Sequence, residues 1–207
     1  MPTEPIFSTN PSEFGFAGLI DEVKVYSAAM DRGQVAAEFA SYNPGTTALM
    51  EYREKEWKVK GKKVRIRHRW VGLKQVSPYV MKAVLIAEDD KFWAHKGFDF
   101  DAIQKAVEKD LKEGKFKFGG STVSQQLVKN LYLTPAKNPV RKIKEAIITW
   151  RLERTLTKQR ILELYLNVVE WGEGRFGIWA AAEGHFGKAP SQLTAEESAT
   201  LAAVLPN

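Results

Sequence analysis

From Ser77 to Pro206 the chain is punctuated by helix-start and helix-stop signals, and this punctuation restricts it to a mostly helical fold. Ser77 stands as an N-cap before Pro78, opening a helix that carries Val80, Ala83, Val84 and Ala87. A second helix is predicted from Asp99, with Phe100, Ile103, Val107 and Leu111 at spacings of three and four until Gly114 stops it. A third follows Ser121, a fourth begins at Pro139 and a fifth at Thr157. In the last, Thr194 and Glu197 form a capping box, and the helix ends before Pro206. Convincing strand patterns occur only before Ser77, so the expected class is mainly α.

The first 42 residues read differently. They begin with turn formers (Pro2, Pro5, Asn10, Pro11), then suggest a short strand through Ile20, Val23 and Val25 and a short helix from Gln34 to Ala40. A fragment of that size buries little by itself. Asn43-Pro44-Gly45 is a turn signal, so the expected division is an irregular or β appendage at 1–42, not an independent domain, and a helical domain at 43–207. A length of 207 residues with 44% apolar content suffices for one real core and excludes a large two-domain enzyme.

The net charge of +6 implies an anionic partner, whether nucleic acid, a phospholipid surface or a phosphorylated substrate. The field is local: Glu51 to Trp70 carries nine Lys or Arg against three Glu, which equals the surplus of the whole chain. No recognisable motif interleaves basic and aromatic residues beyond that segment, so nucleic acid is not an expected partner. Without cysteine there are no disulfides and no thiolate chemistry, which leaves the compartment open. No apolar run of 18 residues and no leader is present, so no transmembrane anchor is expected in this chain.

Three polar clusters lie on the predicted helices. Glu88 and Asp89 close the first helix, followed by Phe92, His95 and Gly97. A carboxylate in a last turn, beside a second acid, is a candidate general base; a solvated helix end is the plain alternative. In GGSTVSQQLVKN, Thr122, Gln126 and Lys129 share one helix face, while Val123, Leu127 and Leu131 occupy another that can be buried. A hydroxyl, an amide and an ammonium beside paired glycines suit a phosphate or sugar cradle, with ordinary surface polarity as the alternative. The third cluster holds Arg141, Lys142 and Glu145. Arg141 and Glu145 are four apart in the less favourable order for a helical ion pair, so stability alone explains it poorly. The stripe Ile143, Ile147, Trp150 reads as core.

These clusters, in this order, closely resemble the glycosyltransferase family 51 domain of peptidoglycan glycosyltransferases. The shared motifs are the Glu-Asp pair with Phe92 and His95, GGST with QQ and KN, RK..E, K..ILE.YLN from Lys158 to Asn167, and WGEGRFGIWAAAEGHFGK. The segment before them is most similar to the monofunctional biosynthetic branch. The resemblance implies a lysozyme-like helical fold that polymerises lipid II. Glu88 would be the catalytic base on the acceptor GlcNAc 4-hydroxyl, which attacks the donor MurNAc with inversion and release of undecaprenyl pyrophosphate. Glu145 matches the second essential glutamate, Lys129, Arg141 and Lys142 would hold the pyrophosphate, and Thr122 and Gln126 would contact the donor. Asp89, Phe92 and His95 would shape the substrate site.

The resemblance further implies no required cofactor, with room for a divalent Mg or Mn at the pyrophosphate. It implies action at the outer face of the bacterial cytoplasmic membrane, on an anionic surface, with moenomycin-type inhibitors as ligands and divisome or elongasome proteins as partners. Two departures are noted. Residues 1–42 faintly resemble the tail of a laminin-G-like domain, and the glycosyltransferase domain is expected to be truncated after Asn207. The rival readings are a lysozyme-like lytic hydrolase, which needs no pyrophosphate cradle, and a non-catalytic lipid- or glycan-binding module.

Overall fold

The computed structural model describes residues 39–40, 42–113, 120–133, 135 and 139–205. The strand expected around Ile20, Val23 and Val25, most of the helix expected from Gln34, and the stop at Gly114 fall outside them. Among the described residues there are eight α-helices: α1 (Ala48–Val59), α2 (Pro78–Glu88), α3 (Phe100–Glu113), α4 (Val123–Tyr132), α5 (Pro139–Thr155), α6 (Lys158–Val168), α7 (Gly177–Phe186) and α8 (Ala195–Ala203). The mainly α expectation therefore holds.

The caps explain why the helices start where they do. Ser77 Oγ accepts from the Tyr79 N–H and Thr157 Oγ1 from the Arg160 N–H, while Thr194 and Glu197 exchange both bonds of the predicted capping box. Thr122, one residue beyond Ser121, caps α4 and shares a second box with Gln125.

Two helices escape the sequence pattern. In α1 only Met50 and Trp57 are buried, packed on Phe176, while Glu51, Glu54, Lys55 and Lys58 are exposed. Two apolar positions seven apart are too sparse to register as a period. Helix α7 is the opposite case, apolar nearly all round (Ile178, Ala180, Ala181 and Ala182 buried) inside the glycine-rich stretch WGEGRFGIWAAAEGHFGK, for which no helix is expected above. Its start requires glycine: Gly177 has φ +79°, and a Cβ there would lie 2.5 Å from Asn167 O. The expectation of strands only before Ser77 is also corrected. β1 (Arg67–His68) pairs in parallel with β2 (Arg175–Phe176), which lies well after it.

Helix α4 is central, touching α1, α5 and α6, while α2 packs on α8 and α7 on α6. Val123, Leu127 and Leu131 are buried as expected, but so are Val128 and the polar Ser124, Gln125, Gln126 and Asn130. Buried polar groups require partners, and those of Ser124, Gln125 and Gln126 build the site. Helix α5 overturns a core assignment. Ile143 (37% exposed) and Trp150 (46% exposed) face outwards, and Ile147 is only half-buried; the inward face is Glu145, Ile148, Thr149 and Leu152. Both faces have a 3.6-residue period. The polar one can go inside because Thr149 donates to Glu145 O and basic neighbours satisfy the Glu145 carboxylate. Outside, Arg154 covers the Trp150 ring at 4.7 Å.

The apolar stripe of α3 also meets solvent, with Phe100, Val107 and Leu111 exposed. Phe39, on the appendage side of the expected boundary, is 3% exposed within the main core, edge-on to Tyr132, and its carbonyl accepts from Arg160 Nε at 2.8 Å. Among the described residues no helix is long and apolar enough to cross a membrane.

Candidate active site

Glu88 is the last residue of α2, half-buried at a cleft lined by Ile86, Asp90, Asp99, Ala102, Gly120 and Ser121. Gln126 Nε2 donates to Glu88 Oε2 at 2.6 Å, and Tyr165 Oη donates to Gln126 Oε1 at 3.0 Å. Among the described residues Glu88 Oε1 accepts no hydrogen bond. One carboxylate oxygen is thus anchored and the other is available, which suits a proton acceptor.

Asp89 turns the other way. Its carboxylate is buried and accepts from His95 Nε2 at 2.8 and 3.0 Å and from the Val123 N–H at 2.9 Å. His95 Nδ1 accepts from the Gly97 N–H, which assigns the ring proton to Nε2. Gly97 has φ +95°, and a Cβ there would be 3.0 Å from both Thr149 Cγ2 and Glu153 Cγ. Only glycine lets this loop close onto α5. Thr122 Oγ1 donates to Gly97 O at 2.7 Å while capping α4, and Phe92 is fully buried beneath Lys158 Nζ, 4.4 Å from the ring centroid. Asp89, Phe92, His95 and Thr122 therefore lock the loop after α2 to the start of α4, and so fix Glu88.

The third cluster gathers on one side. Glu145 is 2% exposed and accepts from Arg141 Nη1 at 3.1 Å and from Lys142 Nζ at 2.5 Å. Burial pushes the Lys129 ammonium below the ordinary lysine range; Glu145 and Glu88 pull it back up, while Arg141 and Lys142 press it down. Lys129 therefore lies within electrostatic reach of both glutamates. Three cations against the two glutamates leave net positive charge here. Arg141 and Lys142 also occupy the first turn of α5, where cations oppose the helix dipole. An anion would be attracted by the cations and by the helix amides together.

Several residues that support the site carry no role in the sequence reading. Ser124 Oγ and Lys158 Nζ both donate to the buried Glu153 Oε1, tying α4, α5 and α6 together. Asn167 exchanges two hydrogen bonds with the backbone of Val71, and Glu163 accepts from the Leu73 N–H. The K..ILE.YLN motif is thus mainly a clamp, and its signal is the two-turn spacing from Lys158 to Tyr165. Among the described residues no three His, Asp or Glu side chains gather as a metal-binding group.

The chain is 49% identical over 166 residues to the biosynthetic peptidoglycan transglycosylase of Nitrosospira multiformis, covering 80% of this chain and 72% of that protein. Similar matches are the enzymes of the same name from Methylobacillus flagellatus (46% identity, 82% and 74% covered) and Dechloromonas aromatica (48%, 80% and 71%). With the transglycosylase family model matching residues 56–207, which include every residue of the cleft and the cationic cluster, the chain belongs to the transglycosylase family.

Proposed function

We propose that this chain, a peptidoglycan glycosyltransferase, extends glycan strands from lipid II with Glu88 as general base. The observation that carries the assignment is the anchored carboxylate of Glu88 at the cleft, with Lys129 under the influence of both Glu88 and the Glu145 cluster. The free oxygen of Glu88 takes the proton of the acceptor GlcNAc 4-hydroxyl as that oxygen attacks the donor MurNAc anomeric carbon. A new C–O bond forms, the bond to pyrophosphate breaks on the opposite face, and configuration inverts. An alcohol is a weak nucleophile at neutral pH, and a positioned base contributes ~10² to 10⁴ in rate.

Undecaprenyl pyrophosphate leaves with its charge, and Lys129, Arg141 and Lys142 stabilise it. Glu145 keeps Arg141 and Lys142 in place and limits their mutual repulsion. Any Mg or Mn would be held chiefly by the pyrophosphate oxygens and water, as is usual for Mg at phosphates. The same cations would accept a moenomycin-type phosphoglycolipid. A hydrolase needs no leaving-group cradle of this kind, so the cationic cluster favours transfer over lysis. We place the enzyme at the outer face of the cytoplasmic membrane, where lipid II is consumed.

Incubation with labelled lipid II tests the reading. The wild-type chain should yield polymer, and Glu88→Gln, which removes only the proton acceptor, should lower turnover at least ~10²-fold with folding intact. Turnover above about a tenth of wild type in that variant would overturn the role of Glu88. Cleavage of preformed glycan without polymer would favour the hydrolase.

A further inference from the structure

We propose that Tyr165 is a positioning residue for the transfer reaction, setting through Gln126 which oxygen of Glu88 is free to take the proton. The inference rests on Glu88 being the base. Tyr165 is fully buried and cannot meet a substrate in the cleft; among the described residues its hydroxyl bonds to Gln126 alone. Gln126 links α6 to the end of α2, accepting from Tyr165 at 3.0 Å and donating to Glu88 at 2.6 Å.

The two ends of a glutamine amide are nearly identical in shape and opposite in hydrogen-bonding sense. With the NH₂ towards Glu88 the carboxylate is held; with the carbonyl towards it, two acceptors oppose each other. The Glu88 carboxylate, as an acceptor, selects the NH₂ end, and the buried Tyr165 O–H, donating to the carbonyl at the other end, holds the amide in that orientation. Burial, reinforced by the nearby charges of Glu88 and Asp89, pushes the Tyr165 hydroxyl well above the ordinary tyrosine range. At neutral pH it is therefore protonated and able to donate. Because Tyr165 sits among fully buried neighbours on α6, including Leu162 and Leu166, the donor is fixed in place as well. The consequence is a defined free oxygen on Glu88, and reacting groups held in a productive geometry gain large factors in rate.

The test compares steady-state polymerisation of lipid II by wild type, Tyr165→Phe, Gln126→Met and the double variant, with folding followed by circular dichroism. Tyr165→Phe should lower kcat about tenfold while KM stays within about twofold, since geometry at the base is lost and substrate contacts are not. Gln126→Met should lose at least as much. In the double variant the loss should equal that of Gln126→Met alone, because Tyr165 acts only through the amide. A kcat within about twofold of wild type in Tyr165→Phe, a change confined to KM, or multiplicative losses in the double variant would overturn the proposal. Should Tyr165→Phe fail to fold, Gln126→Met decides: a wild-type kcat overturns the relay and a tenfold loss with unchanged KM supports it. An inactive Glu88→Gln beside a fully active Tyr165→Phe removes only the positioning role, whereas an active Glu88→Gln removes the base itself.

Discussion

Arg141 and Glu145 lie one turn apart on α5, with Arg141 Nη1 donating to a carboxylate that is almost wholly buried. An exposed pair in this order is worth a few tenths of a kcal/mol. Here the carboxylate is buried and Lys142 joins it, so the pair keeps two cations at the mouth of a helix that would otherwise repel them. Glu145→Gln should therefore reduce stability by about 1–3 kcal/mol, discounted for the partial exposure of both cations. Unfolding in urea reads this directly. An unchanged midpoint would mean that the cations do not depend on Glu145.

Lys129 gives a prediction of opposite sign. Its ammonium is disfavoured by burial, and among the described residues it makes no ion pair, so Lys129→Met should stabilise the free protein while weakening pyrophosphate binding. The folded pKa lies below the unfolded value, so the unfolded chain binds more protons between the two. Wild-type stability then rises with pH through that window. The advantage of Lys129→Met should be larger at neutral pH and shrink as pH approaches the unfolded lysine value of about 10.4. Parallel melts at pH 7 and above 10 check it, and an advantage independent of pH contradicts the burial argument.

If Arg141 grips pyrophosphate, Arg141→Ala should weaken a moenomycin-type phosphoglycolipid by roughly tenfold or more, as expected for a charge-assisted contact. Arg141→Lys should restore only part of this, because lysine keeps the charge and loses the fork. Calorimetric titration of the three proteins separates the cases. Equal affinities would place the anion elsewhere.

How much of this was legible in the sequence depended on whether the information was local. Ser77, Thr157 and Thr194 announced their helices because a cap is a contact between residues two or three apart. The inward face of α5 was not legible, since Ile143–Ile147–Trp150 and Glu145–Ile148–Thr149–Leu152 have the same period. Burial of Glu145 becomes tolerable only once Arg141 and Lys142 are placed around it. The shared motifs name Glu88, Gln126, Lys129, Arg141 and Glu145, but not their contacts. The contact between Glu88 and Gln126 spans 38 residues, and that between Gln126 and Tyr165 spans 39. Such pairings exist only after α4 has packed between its neighbours.

Surface binding should have two separable parts. Lys58, Lys60, Lys62, Lys63 and Arg65 are exposed, although Lys60 and Lys62 are paired with Glu56 and Glu173. Each unpaired basic side chain near anionic lipid contributes about 1 kcal/mol, and salt screens it. The exposed Phe100, Val107 and Leu111 of α3 would insert through apolar burial, which salt does not weaken. Sedimentation with anionic vesicles should show binding that falls at high salt to a residue of affinity abolished by Phe100→Ser with Leu111→Ser. Binding indifferent to salt would remove the electrostatic part.

The appendage is expected to be dispensable for catalysis but not for stability. Phe39 fills a place in the main core against Tyr132, and Arg160 donates to the carbonyls of Phe39 and Tyr42 and to Asn43 Oδ1. A chain beginning at Asn43 loses the ring and two of those three acceptors, whereas Glu88, Lys129 and Glu145 keep their contacts. Removal of a buried phenylalanine costs about 3–5 kcal/mol. The shortened chain should therefore unfold at markedly lower urea while polymerising lipid II in detergent, per folded molecule, at a rate close to that of the full chain. Phe39→Ala in the full chain should reproduce most of the loss, which separates the ring from the rest of the segment. If the shortened chain folds by circular dichroism with an unchanged midpoint, Phe39 is not part of the working core. If it folds and is inactive, the segment reaches the cleft and the boundary at Asn43 is misplaced.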